Sequence, residues 1–289
     1  MAERPWPAGE DPLRVRALTV RRYRDGVARD LADEVAAEEP FELRVAGRSV
    51  AMIMRTPGDD RFLATGFLLS EGVIHAADDV VSWQPALDRD GFPQANVLDF
   101  RLRPELEASD LLGRRNFSVS SSCGLCGVAS IEAARLLAPP VRSEGSVAGQ
   151  MLLDLEPKLR AAQAVFRRTG GLHAAGLFDR QGRLLAFHED VGRHNAVDKI
   201  FGQMLLAGRL PLSDTILLVS GRASFELLQK SATAGVPIFV AVGAPSSLAV
   251  ELARATDVTL VGLLRASSFV IYSRPERVWF ARPFGSGVE

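Results

Sequence analysis

Thr215-Ile216-Leu217-Leu218-Val219, Pro237-Ile238-Phe239-Val240-Ala241-Val242 and Val258-Thr259-Leu260-Val261-Gly262-Leu263 are short apolar runs, and the helix-like segments Ser224 to Ala234 and Ser247 to Ala255 fall between them. Apolar runs without polar alternation, separated by amphipathic helices, mark strands buried on both faces. This stretch therefore predicts an α/β layer with mostly parallel strands. Upstream, Asn195 to Leu206 reads as a further helix. His173 to Asp179, the turn Arg180-Gln181-Gly182 and Arg183 to His188 read as a hairpin. Before it, Leu152, Leu155, Leu159, Ala162 and Phe166 recur at helical spacing, with Asp154 and Glu156 early and Gly170-Gly171 at the end, which predicts one helix.

The first half is richer in strands. Phe41-Glu42-Leu43-Arg44-Val45 alternates apolar and charged residues, Ala46-Gly47-Arg48 can turn, and Ser49 to Met54 is again extended, a hairpin pattern. Leu98, Phe100 and Leu102 alternate with Asp99, Arg101 and Arg103, and Asp60 to Ser70 has helical character up to Glu71-Gly72. Pro139 to Gly149, with its prolines, glycines and serines, is the expected boundary between halves. The expected organisation is a tail over residues 1–14, an N-terminal α+β domain over 15–138 and a C-terminal α/β domain over 150–289.

The 289 residues are 47% hydrophobic and 24% charged, an ordinary globular composition. A formal charge of −1 provides no global basic field, so nucleic acid is not an expected partner. Met1 to Asp11 lacks an apolar leader and no later run has the length of a membrane span, so the expectation is a cytoplasmic protein with no membrane partner.

Two cysteines are too few for a disulfide framework, and both lie in Ser120-Ser121-Ser122-Cys123-Gly124-Leu125-Cys126-Gly127. Small flanking residues leave the sulfurs accessible, and Val128 to Leu137 continues as an expected helix whose start favours thiolate, with Arg114 and Arg115 upstream. The spacing leaves three chemistries open: dithiol exchange, half of a metal site, or capture of sulfane sulfur. A tetrahedral zinc site needs two further ligands, and only His75, His173, His188 and His194 are available outside the pair to supply histidine nitrogen, so zinc is disfavoured.

Three turns combine glycine with Ser, Thr or Arg at the start of an expected helix: Ser220-Gly221-Arg222-Ala223-Ser224, Gly243-Ala244-Pro245-Ser246-Ser247 and, less clearly, Thr169-Gly170-Gly171. Free amides at a helix start hold phosphate oxygens, although Ser224 and Ser246 or Ser247 also suit plain N-caps. His188-Glu189-Asp190-Val191-Gly192-Arg193-His194-Asn195 crowds polar residues between a strand and a helix, where open α/β sheets place ligands. The plainer reading makes Glu189 and Asp190 helix N-terminal charges and His194 a local hydrogen-bonding group.

Longer motifs carry a family resemblance: Glu38-Glu39-Pro40, Met54-Arg55-Thr56-Pro57-Gly58-Asp59-Asp60, Gly66-Phe67-Leu68-Leu69-Ser70-Glu71-Gly72, Cys123-Gly124-Leu125-Cys126-Gly127, Thr169-Gly170-Gly171-Leu172-His173, Glu189 to Lys199 and Ser220 to Glu226. On these the chain resembles the formate dehydrogenase accessory sulfurtransferase family, FdhD, over nearly everything after residue 15. The resemblance implies a sulfurtransferase passing persulfide sulfur from a cysteine desulfurase to Mo-bis(molybdopterin guanine dinucleotide), or its tungsten counterpart, before insertion into formate dehydrogenase. It implies Cys123 as carrier with Cys126 assisting, a homodimer, and a cytidine-deaminase-like C-terminal domain beside a smaller strand-rich N-terminal one. The cofactor is then bound substrate, with no permanent metal. Its expected seat is Phe269-Val270-Ile271-Tyr272-Ser273-Arg274 with Gly221, Arg222, Ser224, Thr169, Gly170 and His194. A non-catalytic cofactor-binding chaperone is the alternative. Deamination itself is excluded: His194-Asn195-Ala196 and Gly221-Arg222-Ala223-Ser224, at the positions of the deaminase zinc motifs, lack the catalytic glutamate and both cysteines.

Overall fold

A computed structural model describes residues 13–108 and 140–280. The chain opens with β1 (Val15–Arg24) and β2 (Val27–Ala36), an antiparallel ribbon turned by Asp25-Gly26 with φ of 51° and 83°. Two positive φ values define a type I′ turn, and glycine adopts one without a Cβ clash. The ribbon is absent from the sequence expectation because its residues do not alternate apolar and polar.

The expected hairpin follows as β3 (Glu39–Val45) and β4 (Arg48–Arg55), then α1 (Asp60–Ser70), β5 (Val80–Leu87), β6 (Pro93–Leu102) and the single turn α2 (Pro104–Glu107). Phe41, Leu43 and Val45 point inward from β3 and are fully buried, while Glu42 and Arg44 pair on its other face. The strand order is β4-β3-β6-β5, with β3 parallel to β6.

After β7 (Val147–Ala148) the expected single helix is broken into α3 (Gly149–Leu153), α4 (Leu155–Ala162) and α5 (Ala164–Thr169). Pro157 causes the first break: it has no N–H for the Leu153 carbonyl, and its ring would collide with that carbonyl in a continuous helix. Then come β8 (His173–Asp179), β9 (Leu184–Asp190), α6 (Arg193–Leu206), β10 (Thr215–Val219), α7 (Phe225–Thr233), β11 (Ile238–Ala241), α8 (Ser247–Ala255), β12 (Thr259–Arg265), β13 (Ser268–Ser273) and β14 (Val278–Trp279). The main sheet runs β13-β12-β11-β10-β8-β9.

Its strands are mixed rather than mostly parallel. Only β10–β11 and β11–β12 are parallel; β8–β9, β8–β10 and β12–β13 are antiparallel. The connections of β8 to β9 and β12 to β13 are too short for a crossover, which forces their hairpin sense. The fold remains α/β with a strand-rich N-terminal part.

The two halves share one apolar cluster containing Phe41, Leu63 and Phe100 together with Phe201, Leu217 and Phe239. At its centre α1 crosses α6 with backbones almost touching: a Cβ on Gly66 would sit 1.9 Å from the Asp198 carbonyl oxygen, and one on Gly202 2.0 Å from that of Phe62. Two buried ion pairs flank the crossing. Lys230 Nζ donates to both Asp198 oxygens at 2.8 Å, with Ser70 Oγ donating to Oδ1 at 2.8 Å. Lys199 Nζ donates to Asp190 Oδ2 at 2.7 Å and to the Thr56 carbonyl at 3.0 Å. Among the described residues no helix is long and apolar enough to cross a membrane.

Candidate functional site

The carboxyl ends of β9, β10 and β11 lead into the starts of α6, α7 and α8 along one edge of the main sheet. Because β8 runs antiparallel to β10, its first residue, His173, reaches the same edge. Hydrogen bonds tie these loops together. Ser220 N donates to the Ala174 carbonyl at 3.0 Å, and Ala174 N donates to Ser220 Oγ at 2.9 Å. Gly243 N donates to the Gly221 carbonyl at 2.9 Å, and Ser246 N to that of Ala223 at 3.0 Å. Gly243 permits this approach, since a Cβ there would lie 2.8 Å from the Gly221 carbonyl oxygen.

Arg193, His194 and His173 converge on the Ser220–Ser224 loop. The Cβ position of Gly221 lies 3.6 Å from Arg193 Cδ and 3.7 Å from His173 Nδ1. His194 Nε2 stands 3.4 Å from Ser224 Oγ and 3.9 Å from Glu226 Oε2. Among the described residues Arg193 Nε is buried without a hydrogen-bond partner. Ser224 precedes α7 but caps none of its amides; its hydroxyl turns to His194, against the N-cap expectation. Gly192 offers α6 no side-chain cap. Ser246, by contrast, does cap α8, accepting from Ala249 N at 3.2 Å.

Burial pushes the His194 imidazole down to about 3, with Lys230, Arg193 and His173 adding to the effect. Burial and Arg193 also lower His173, against a smaller opposing pull from Asp190. The His194 ring is therefore neutral at pH 7, with one nitrogen donating and one accepting. A neutral imidazole, a guanidinium with an unmatched donor and two uncapped helix starts together suit a phosphate-bearing, hydrogen-bonding ligand.

The polar run from His188 to Asn195 divides. Asp190 is fully buried and takes bonds from Thr56 N, Gly192 N, Asn195 Nδ2 and Lys199 Nζ, so Asp190 and Asn195 hold the junction with the N-terminal half. Glu189 does serve as a helix N-terminal charge, but for α5, accepting from Val165 N at 3.1 Å and Phe166 N at 2.9 Å. His188 lies between Asp59 (3.3 Å) and Gln203 (3.0 Å). Burial opposes the Asp59 charge, but the hydrogen bond and charge of His188, with Arg14 and Lys199, hold its carboxyl well below the usual range. From this run Arg193 and His194 reach the Ser220–Ser224 loop.

Thr169 and Gly170 close α5, with Gly170 as a left-handed C-cap at φ 66°. That turn presents a carbonyl end and not the helix-start amides expected of it. Phe269 to Ser273 lie in β13, so alternate side chains leave on opposite faces, and Arg274 follows beside Glu276 (3.0 Å) and Asp257 (3.6 Å). Phe269, Val270 and Ile271 line a groove of about 570 Å³ with Gly149, Leu153 and Phe280. Tyr272 reaches the Gly262 and Pro245 contact, and Ser273 Oγ is engaged by Leu260 N and the Val258 carbonyl. Arg222 is exposed. Cys123 and Cys126 lie outside the described residues, as do Arg114 and Arg115.

His173 and Arg193 were not among the sequence-derived seat residues. Arg193 adjoins His194 in the polar run, a signal that was present; His173 reaches Gly221 only through the β8–β10 pairing. Among the described residues, no three His, Cys, Asp or Glu side chains gather as a metal site.

Residues 36–279 match the profile of the FdhD/NarQ family. The sulfur carrier protein FdhD of Streptomyces avermitilis is 50% identical over 268 residues, covering 90% of this chain and 94% of its own. That of Sulfolobus acidocaldarius is 39% identical over 92% of this chain and 99% of its own. A crystal structure from Desulfotalea psychrophila, assigned to a formate dehydrogenase accessory protein, superposes with a TM-score of 0.69 at 24% identity, covering 92% of this chain and 99% of that one. With a family match across most of its length and relatives aligned nearly end to end, the chain belongs to the FdhD/NarQ family.

Proposed function

We propose that this protein is a cytoplasmic sulfurtransferase: it accepts persulfide sulfur from a cysteine desulfurase on Cys123 and delivers it to the molybdenum bis-guanine-dinucleotide cofactor required by formate dehydrogenase. The observation that carries this reading is the 50% identity, over 90% of the chain, to a protein named as a sulfur carrier, in a chain whose two cysteines form one C-x-x-C. In the loading step the Cys123 thiolate attacks the outer sulfur of the donor persulfide, the donor S–S bond breaks, and the donor cysteine leaves as thiolate. Release as sulfide requires two electrons. Attack of Cys126 on the Cys123 sulfur supplies them, forming a Cys123–Cys126 disulfide that an external thiol then reduces.

The cofactor is the substrate in this scheme. Arg193, the Ser220–Ser224 loop and the start of α7 are the proposed seat of its guanosine phosphates, supported by a buried guanidinium nitrogen that lacks a partner among the described residues. Incubation with a cysteine desulfurase and free cysteine is expected to add one sulfur atom to the peptide containing Cys123, read by mass spectrometry, and Cys123→Ala is expected to abolish the gain. Arg193→Gln should weaken GDP binding about tenfold while leaving that gain intact. An unmodified Cys123 peptide, with GDP binding retained, would favour the non-catalytic chaperone.

A further inference from the structure

The parallel strands β10, β11 and β12 all end at the loop edge of the main sheet, so the last residues of β12 arrive beside the Ser220–Ser224 and Gly243–Ser247 turns. There β12 departs from regular pairing: its register with β13 shifts between Gly262 and Arg265, and Leu263 takes a left-handed φ of 54°. A leucine in that region is strained, because its Cβ crowds the following carbonyl, and it persists only where the surroundings hold it. Here Leu263 N donates to the Gly243 carbonyl at 3.1 Å. The bulge hooks the end of β12 onto the β11–α8 loop and re-aims the residues that follow.

Arg265 is the residue so aimed. Its Nη1 donates to the Val242 carbonyl and to that of Leu264, both at 2.7 Å. Val242 N in turn donates to the Val219 carbonyl at 3.1 Å, so the guanidinium is pinned over the end of β11, one strand away from the start of the Ser220–Ser224 loop. Arg265 is exposed, and among the described residues it makes no ion pair and its Nε and Nη2 make no hydrogen bond. Anchoring through Nη1 fixes the plane of the group and leaves Nε and Nη2 as a fork with the spacing of two phosphate oxygens.

Gly221 lies on the path from Arg193 to Arg265, touching the first and bonded through its carbonyl to Gly243 beside the second. Its φ is not left-handed, and a Cβ there would meet nothing closer than Arg193 Cδ at 3.6 Å and His173 Nδ1 at 3.7 Å, ordinary contact distances. Unlike Gly243, then, position 221 is not held to glycine by conformation or by packing within the chain. Bare backbone there suits the close approach of a ligand, as glycine does against a pyrophosphate in dinucleotide-binding turns. Neighbouring strands are about 4.8 Å apart, a step that two linked phosphates can span. Charge matches as well: a diphosphate esterified at both ends carries one negative charge on each phosphate, and the two arginines supply one positive charge each. We infer that the phosphate seat extends across Gly221 from Arg193 to Arg265 and selects a diphosphate over a single phosphate, each guanidinium taking one phosphate group.

This extension rests on the guanosine-phosphate seat proposed above, and the two fail separately in calorimetric titrations of the full chain with GDP and with GMP. The wild type is expected to bind GDP at least about tenfold more tightly than GMP. Arg265→Gln should weaken GDP about tenfold and GMP less than about twofold, so that the preference disappears. Arg265→Lys keeps the charge without the fork and should still lose at least about threefold for GDP, which a diffuse charge effect would not produce. Gly221→Ala should keep the wild-type unfolding midpoint while weakening both nucleotides about tenfold. GMP bound as tightly as GDP by the wild type, an equal loss or no loss for the two nucleotides in Arg265→Gln, or undiminished GDP binding in Gly221→Ala would each overturn the extension, while GDP binding by the wild type would still support the seat at Arg193. A wild type that binds neither nucleotide would overturn both.

Discussion

His194 is one fifth exposed, and burial, together with the charges of Lys230, Arg193 and His173, disfavours its protonation although Glu226 lies 3.9 Å away. Its ring titrates near 3 when folded, against 6.5 for the free side chain. Between those values the unfolded chain binds a proton that the native state refuses, so stability rises with pH there. This contribution is complete above about pH 6.5 and is lost as pH falls towards 3. Urea titrations should show wild type losing about 2 kcal/mol more than His194→Gln between pH 7 and 4.5; equal losses would contradict the assignment. At this scale the sequence was partly legible. Proximity in the chain marked His194 and Arg193 as a polar pair, but nothing local distinguished them from Asp190, whose carboxylate belongs to a buried junction 134 residues away from Thr56 in sequence.

Among the elements, the α1–α6 crossing is where packing most clearly overrides local preference. Alanine is the better helix former, and in an open helix either glycine replaced by alanine would gain about 1 kcal/mol. Here a Cβ at Gly66 or Gly202 meets backbone atoms of the facing helix at 1.9–2.0 Å, and backbone cannot rotate aside as a side chain does. Gly66→Ala and Gly202→Ala are therefore each expected to destabilise by about 3 kcal/mol or more, seen as a lower denaturation midpoint with an unchanged slope. Stabilisation by either would show that the helices lie further apart. The helices α6, α7 and α8 and the core strands were legible because their apolar periodicity is strong and their ends carry recognisable signals. The β1–β2 ribbon was not: Asp25-Gly26 is a strong hairpin turn, but the flanking Arg-rich strands are exposed on both faces and leave no alternation to read.

Across the whole molecule, the halves on either side of the 139–149 stretch are joined by a common core and by polar pins. The Asp190–Lys199–Thr56 pin ties the β4–α1 connection to the β9–α6 connection, with both charged side chains fully buried. Lys199→Met fits the space of the aliphatic stem but leaves the Asp190 carboxylate without its cation, so a loss of about 3–5 kcal/mol is expected on urea unfolding. A loss under about 1 kcal/mol would mean that the pin contributes little to joining the halves. By itself the sequence determined the α/β class, the helix and strand order from β8 to β12, the C-x-x-C pair and the family motifs, because periodicity, turn residues and cysteine spacing are local properties of a chain. The tertiary structure alone decided the mixed sense of the main sheet, the division of the polar run into junction and loop residues, and the meeting of His173 with Arg193 and Gly221. Each depends on which strands lie side by side, and strand order is settled by the burial of one shared core.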